Sequence, residues 1–209
     1  MKTSVVKILV LLLAASLLSS CHKYISSEAS KGLKARAEPF SVLVYPVNVI
    51  RPPGSIHPDI QLAEKVVVFL ETEGLAQPVL AEEPVLYDFM FSPNQAKIVA
   101  HSAKAFAAQV SQAGIETDYA LLVEIMIMPN GLPGGVHYYL SDSKGELADG
   151  SFTNEHWDEF KAVQPKTPDD GCEVALRMLH RAWGERQRPL KTQNVNRRPT
   201  FQKVILPYS

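Results

Sequence analysis

Glu124 is the residue in this chain whose chemistry is least expected from its surroundings. It lies in residues 118–128 (DYALLVEIMIM), an apolar run that predicts a strand covered on both faces. A carboxylate in such a strand must be paired, protonated or close to an opening. A structural partner such as His137, across a predicted hairpin, is the favoured interpretation. Acid–base catalysis is the alternative, because perturbed carboxylates also mark active sites.

Two nucleophile patterns have simpler structural explanations. Ser141-Asp142-Ser143-Lys144 fits S-x-x-K, but it lies in a predicted hairpin turn, and the companion S-D-N and K-T-G motifs are absent from the sequence. Cys172 lies near a predicted helix start, and His180 would be roughly 12 Å away along that helix, too far for a local dyad. We therefore expect Cys172 to be a buried thiol, and we assign no catalytic residue.

A short acidic stretch carries the atoms that could ligate a cation. It contains Glu155, His156, Asp158 and Glu159. Their spacing matches no recognised ligand motif, so a solvated polar loop is the expected structure. The sequence thus predicts neither a metal site nor a cofactor.

Cys21 is the residue with the most specific chemical context. A basic amino-terminal region precedes the apolar residues 8–18, which is the layout of a signal peptide, and the run is shorter than the ~20 residues of a spanning helix. Leu18-Ser19-Ser20-Cys21 resembles the lipobox of bacterial lipoproteins. That resemblance implies a diacylglycerol on the Cys21 sulfur, cleavage before Cys21 and acylation of the new amino terminus. An ordinary signal peptide cut near Ser20 is the alternative.

The lipobox also indicates a location. Several acyl chains explain stable anchoring, because one chain holds a protein to a membrane only marginally. Residue 22 is His rather than Asp, which by resemblance to the sorting rules of Gram-negative lipoproteins favours the outer membrane. We therefore expect a lipid-anchored envelope protein that faces the periplasm.

The charge balance argues against nucleic-acid binding. The chain has a formal net charge of −1, and residues 1–20 contain two lysines but no acidic residue, so the remainder is more negative. A general nucleic-acid binder needs a strong cationic surface. The expected partners are therefore membrane lipid, through acylated Cys21, and another envelope protein.

The elements around these residues predict one α/β domain with a mixed sheet and helices mainly on one face. Residues 1–20 are the signal peptide, 21–38 the lipid-attachment cysteine and a tether, 39–183 the domain, and 184–209 a basic tail with a candidate strand at 201–206. The predicted order is βαβα, then a β-meander and a helix. The predicted elements are strands at 40–46 and 77–80, helices at 58–73 and 92–113, strands at 118–128, 136–140 and 146–153, and a helix capped at 167–170.

This element order, with residues 22–38 before the strand VLVYPV, resembles envelope lipoproteins whose domain is similar to the amino-terminal domain of TolB. LpoB, which activates a peptidoglycan synthase, and the CsgG secretion lipoprotein share that plan. The resemblance covers residues 40–183 and rests on element order. It implies an accessory or assembly role in the envelope, and it carries over no functional residue.

One connection is unusually apolar. Residues 82–91 (EEPVLYDFMF) contain Tyr87, Phe89 and Phe91, although loops normally carry polar residues. These rings either cover the core of the domain or anchor a partner protein.

The sequence therefore favours a non-enzymatic accessory that binds another envelope protein. An envelope hydrolase is one alternative, and a small-ligand-binding lipoprotein with a site near Glu124 or a pocket beside the meander is the other. The sequence does not determine the oligomeric state, and a homo-oligomer is compatible with it.

Lipidation can be tested at Cys21. Cys21→Ser should block acylation and leave an unprocessed precursor, because the thiolate is the nucleophile that forms the thioether. Mass spectrometry of the wild-type amino terminus measures this directly. An unmodified peptide that starts elsewhere would contradict the prediction.

Overall fold

The computed structural model describes residues 25–36, 38–92 and 94–184. Cys21, the signal segment and the candidate strand at 201–206 lie outside these residues. Within them, no helix is both long enough and apolar enough to cross a membrane.

Seven strands and five helices are described, followed by a π-helical turn. The strands are β1 (Phe40–Val44), β2 (Val47–Arg51), β3 (Ser55–Asp59), β4 (Ala76–Leu80), β5 (Tyr119–Ile127), β6 (Pro133–Asp142) and β7 (Leu147–Thr153). The helices are α1 (Ser27–Ala35), α2 (Ile60–Thr72), α3 (Gln95–Ala113), α4 (Asp158–Val163) and α5 (Pro168–Leu179), and the π-helical turn is His180–Gly184.

Strand β5 is the centre of one mixed sheet. Along one side of it, β1 pairs with residues 119–121 and β2 with residues 124–126, both in parallel. On the other side β6 and then β7 continue antiparallel, as the predicted meander requires. β4 lies outside β1, and β3 lies outside β2. The mixed α/β sheet predicted from the sequence is confirmed.

The hairpin of β2 and β3 was not predicted. The first strand was predicted to end at Pro46, and no strand was predicted between Pro46 and the helix at 58–73. In the structure the chain passes Pro46 and continues along β5 as β2, then turns back as β3. β3 is mostly exposed and contains Pro58, so it lacks the alternating apolar pattern that identifies a strand.

The helices begin directly after their capping residues, and two of these starts differ from the predicted starts. The side chain of Asp59 accepts a hydrogen bond from the Leu62 amide, so α2 begins after Asp59 and not at Pro58. Asn94, rather than Ser92, caps α3. The predicted cap of α5 is confirmed: Thr167 and Asp170 form a reciprocal capping box.

The segment expected to be a tether contains helix α1. Ser26 caps it, and Ala29 and Leu33, one turn apart, are buried in the core. Residues four apart share a helix face, so this short amphipathic stretch can pack although its composition is polar. The part of the chain that follows Ser26 is therefore attached to the domain.

The sheet has a hydrophobic core on each face. The larger core includes residues of α1, α2, α4 and α5, whereas α3 alone covers the opposite face, so the helices lie mainly on one side as predicted. The core beneath α3 contains Tyr45, Ala81, Val85, Ala103, Phe106, Val110, Ala120, Leu122, Tyr139 and Leu147.

The contact between α3 and the β6–β7 turn can be tested at Gly145. Its φ is +83°, and an added Cβ would lie 2.5 Å from the carbonyl oxygen of Ala107 in α3. Gly145→Ala should therefore lower the free energy of unfolding by more than the roughly 1–2 kcal/mol that a left-handed backbone costs a non-glycine residue. Gly131→Ala is the matched control, since φ there is +82° and nothing lies within 4 Å of the added Cβ. If denaturant unfolding showed that the two substitutions lower the free energy of unfolding equally, this packing would be contradicted.

Candidate functional site

Glu124 lies at the middle of β5, with no solvent exposure, on the face covered by α3. His137 stands directly opposite it on β6, as the sequence predicted, and the His137 Nδ1 to Glu124 Oε2 distance is 3.8 Å. Asn48 occupies the paired position on β2. The carboxylate therefore sits between two polar side chains in an otherwise apolar sheet.

Tyr87 reaches this carboxylate from the connection between β4 and α3. We call residues 81–92 the crossing segment. The Tyr87 hydroxyl is hydrogen-bonded to Glu124 Oε1 and lies 2.7 Å from Ser102 Oγ of α3. A phenol carries one proton, so it can donate to only one of them, and donation to the carboxylate leaves the Ser102 hydroxyl to donate to Tyr87. Burial, and then the charge of Glu124, raise the pKa of Tyr87 far above its ordinary value.

A second set of contacts leads from His137 towards the surface. His137 Nδ1 lies 3.1 Å from the Tyr139 hydroxyl, and His137 Nε2 lies 3.5 Å from Gln95 Nε2 at the start of α3. Asn154 Nδ2 in turn donates to Gln95 Oε1 over 3.1 Å. Burial and the nearby Glu124 raise the pKa of Tyr139 well above its ordinary value, so its hydroxyl stays protonated. The polar cluster thus connects β5, β6, the crossing segment and α3.

Asn48 attaches the crossing segment to β2. Its Nδ2 donates to the Val85 carbonyl over 3.1 Å. Asn48 Oδ1 and Glu124 Oε2 are both buried and have no hydrogen-bond partner among the described residues. The signal for Asn48 was present in the sequence, as a polar residue within the apolar run VNVI. Ser102 carried no such signal, because serine is common in amphipathic helices, and only the structure shows that this one is buried.

A carboxylate, an imidazole and two phenols can exchange protons, but the carboxylate and the imidazole are fully buried. Glu124 and His137 have no exposed atoms. The hydrogen bonds of Tyr87 to Glu124 and of Asn48 to the Val85 carbonyl hold the crossing segment against the sheet, because each joins the segment to a strand. The cluster therefore acts as a polar clamp on the crossing segment.

The three aromatic residues predicted to contact a partner have different environments. Tyr87 points into the polar cluster and is half-buried. Phe89 packs edge to face against Phe91, with ring centroids 5.1 Å apart, and Phe91 is 47% exposed. Leu86 and Met90 are also exposed, at 53% and 38%. The segment thus turns one aromatic inward and presents an apolar surface made of Leu86, Met90 and Phe91.

Two further contacts fasten the crossing segment to α3. His101 Nε2 lies 2.7 Å from the Asp88 carbonyl oxygen, and Gln109 Nε2 donates to the Leu86 carbonyl. Both partners on the segment are backbone atoms, so its conformation is held independently of the exposed side chains.

The remaining nucleophile candidates occupy structural positions. Ser141 is buried, and its hydroxyl can donate to the carbonyl of either Asp142 or Glu146 at the hairpin. Asp142 Oδ1 accepts hydrogen bonds from the amides of Lys144 and Glu146, as is usual in a turn. Cys172 is buried, and burial raises the pKa of its thiol to about 12. His180 Nε2 instead lies 3.6 Å from Glu73 Oε2.

The acidic stretch 155–159 does not gather around a common point. His156 and Glu155 are exposed and lie 3.6 Å apart, while Glu159 pairs with Arg181. Across the described residues, no group of three or more His, Cys, Asp or Glu side chains is placed to hold a metal ion.

The clamp can be tested at the Tyr87 hydroxyl. Tyr87→Phe should lower the free energy of unfolding by about 1–3 kcal/mol, because Glu124 Oε1 would lose its donor while remaining buried. Tyr45→Phe is the control, since Tyr45 is also buried beneath α3 but its hydroxyl makes no hydrogen bond within the described residues. Equal effects of the two substitutions in urea unfolding would show that Tyr87 does not satisfy the carboxylate.

Comparison with known proteins gives structural neighbours only. No protein-family model matches the chain, and no curated protein matches it. It is similar to lipoprotein GNA1162 from Neisseria meningitidis, with 20% identity over 56% of this chain and 81% of that chain and a TM-score of 0.32. The LpoB C-terminal domain from Salmonella enterica is 16% identical over 64% of this chain and 96% of that chain, with a TM-score of 0.34. A PelC dodecamer from Paraburkholderia phytofirmans is 17% identical over 69% of this chain and 90% of that chain, with a TM-score of 0.33. Identities and TM-scores this low do not assign the chain to any of these proteins.

Proposed function

We propose that this chain is a lipid-anchored envelope protein that binds another envelope protein through the crossing segment and has no catalytic activity of its own. The lipobox at Leu18-Ser19-Ser20-Cys21 supports the anchor, and His22 favours the outer membrane, with the domain in the periplasm. The net negative charge supports a protein partner rather than a nucleic acid.

The observation that carries the proposal is the apolar surface of the crossing segment. Leu86, Met90 and Phe91 are exposed on a connection whose backbone is fastened to α3 and β2. Aromatic and large aliphatic side chains supply the anchors of many interfaces. A segment that is already held in one conformation loses less entropy on binding than a mobile loop.

The burial of Glu124 favours this proposal over an enzyme or ligand binder at the same place. A catalytic carboxylate must reach the reacting atoms, and Glu124 has no exposed surface beneath Tyr87. The polar cluster instead sets the position of the apolar surface above it. The proposed function of Tyr87 is therefore positioning, whereas Phe91 contacts the partner.

Phe91→Ala tests the interface. The tagged, lipidated protein would serve as bait in detergent-solubilised envelope, and the captured proteins would be quantified. We expect binding of the partner to weaken by about 1–2 kcal/mol or more. The melting temperature should fall far less than on truncation of a core aromatic, because Phe91 is 47% exposed. Val68→Ala is the control: Val68 is 61% exposed on α2, on the opposite face of the sheet, and its removal should change neither quantity.

The outcomes separate the parts of the proposal. Capture that is equal for both variants would exclude the crossing segment as the interface. Capture of a second copy of this chain would identify the partner as the protein itself. Hydrolysis of an envelope component by the purified protein would contradict the non-enzymatic function.

A further inference from the structure

An apolar slot lies between α3 and the edge strand β7, on the face of the sheet that α3 covers. It has a volume of about 300 Å³, at the lower end of the range of about 300–1,000 Å³ that is usual for ligand sites. Its walls include Val99, Ala103, Tyr139, Leu147, Phe152 and Trp157. The interior is lined almost entirely by carbon atoms, with the half-exposed Trp157 on its wall. Such a lining favours an apolar occupant over water.

The amino-terminal part of the described chain enters the domain beside this slot. Ile25 forms part of the wall of the slot. The next residue, Ser26, is tied to the start of β7: its amide donates to the Leu147 carbonyl over 2.7 Å, and its hydroxyl donates to Glu146 over 2.8 Å. The entry point of the chain is thus held at the mouth of the slot by two hydrogen bonds.

Cys21 is within reach of that entry point. Only four residue steps separate Cys21 from Ile25. An extended chain advances at most ~3.3–3.6 Å per residue, so the Cys21 Cα lies no farther than roughly 14 Å from that of Ile25. A broader groove of about 730 Å³ also touches Ile25, Ala103 and Leu147 and continues along α3. An acyl chain that starts at Cys21 can therefore reach the slot where Ile25 forms part of its wall.

We propose that the slot holds one acyl chain of the lipid on Cys21, so that the protein binds part of its own anchor. This inference rests on the lipidation put forward above. Stable attachment to a membrane takes two chains. A lipoprotein that carries both a diacylglycerol and an acylated amino terminus has a third, which can lie in the slot without release from the bilayer.

The occupant follows from distance and chemistry together. The lining of the slot is mainly apolar, which favours a hydrocarbon chain over a polar or charged ligand. The lipid on Cys21 is tethered a few residues from the mouth, so its effective concentration there exceeds that of a free lipid. Occupation would set the domain close to the membrane surface with β7 and the amino-terminal end of α3 towards it.

Photocrosslinking in intact envelopes tests this proposal. Phe152 would be replaced by its photoreactive benzophenone analogue in the full chain, and the products of irradiation identified by mass spectrometry. We expect a product in which β7 is joined to the acylated amino-terminal peptide of the same chain. Phe69 is the matched control, because it is a half-buried phenylalanine that lines a groove on the opposite face. The same replacement there should give several-fold less of this product.

A slot-filling variant adds a second, independent measurement. Ala96→Phe places a ring in the slot and should lower the yield of the product from residue 152 several-fold. Ala108→Phe makes the same change at an exposed position of α3 and should leave the yield unchanged. An equal decrease with both variants would overturn the proposal.

The remaining outcomes distinguish this inference from the proposed function. If the amino-terminal peptide is acylated but the probe at residue 152 joins only phospholipid, or only protein, the slot does not hold the anchor and the lipoprotein assignment stands. If the peptide carries no acyl group, both proposals fail. The mass of the amino-terminal peptide separates the two cases in the same experiment.

Discussion

The need to satisfy one buried carboxylate organises the α3 face of this domain. Glu124 lies in the central strand with no exposure, and a carboxylate removed from water is costly unless it is paired. His137 lies opposite it on β6, and the Tyr87 hydroxyl of the crossing segment donates a hydrogen bond to it. Because Tyr87 belongs to a connection and not to the sheet, this hydrogen bond couples the core to a surface segment.

That coupling explains how an apolar connection can stay ordered. The crossing segment has no helix or strand of its own, so it lacks the repeating hydrogen bonds that hold those elements. Side chains of Asn48, His101 and Gln109 bind its backbone carbonyls instead. The exposed side chains of Leu86 and Phe91 are therefore presented on a stable framework.

The two faces of the sheet differ because one is covered by several helices and the other by a single one. α3 covers the centre of its face and leaves its flank beside β7 open. The slot in that flank lies beside Ile25, where the described chain begins, since Ser26 is bonded to Leu147. The incompletely covered flank and the amino-terminal end of the described chain are thus neighbours in space.

Local patterns were sufficient to predict much of the fold. The central strand, the meander and the capping box at Thr167 all depend on residues close together in sequence, and each is present in the structure. The pairing of Glu124 with His137 was also predictable, because a hairpin places nearby residues opposite each other. The prediction of a lipobox at 18–21 likewise depends on adjacent residues.

Tertiary structure alone decided the contacts between distant parts of the chain. Tyr87 carries no local sign that it turns inward while Phe91 stays outside, since that choice depends on Glu124 and Ser102, which come from β5 and α3. The docking of α1 and the extension of the first strand past Pro46 depend in the same way on surfaces supplied from elsewhere in the chain. Sequence patterns report which side chains an element can bury, but the partner that buries them is set by the packing of the whole domain.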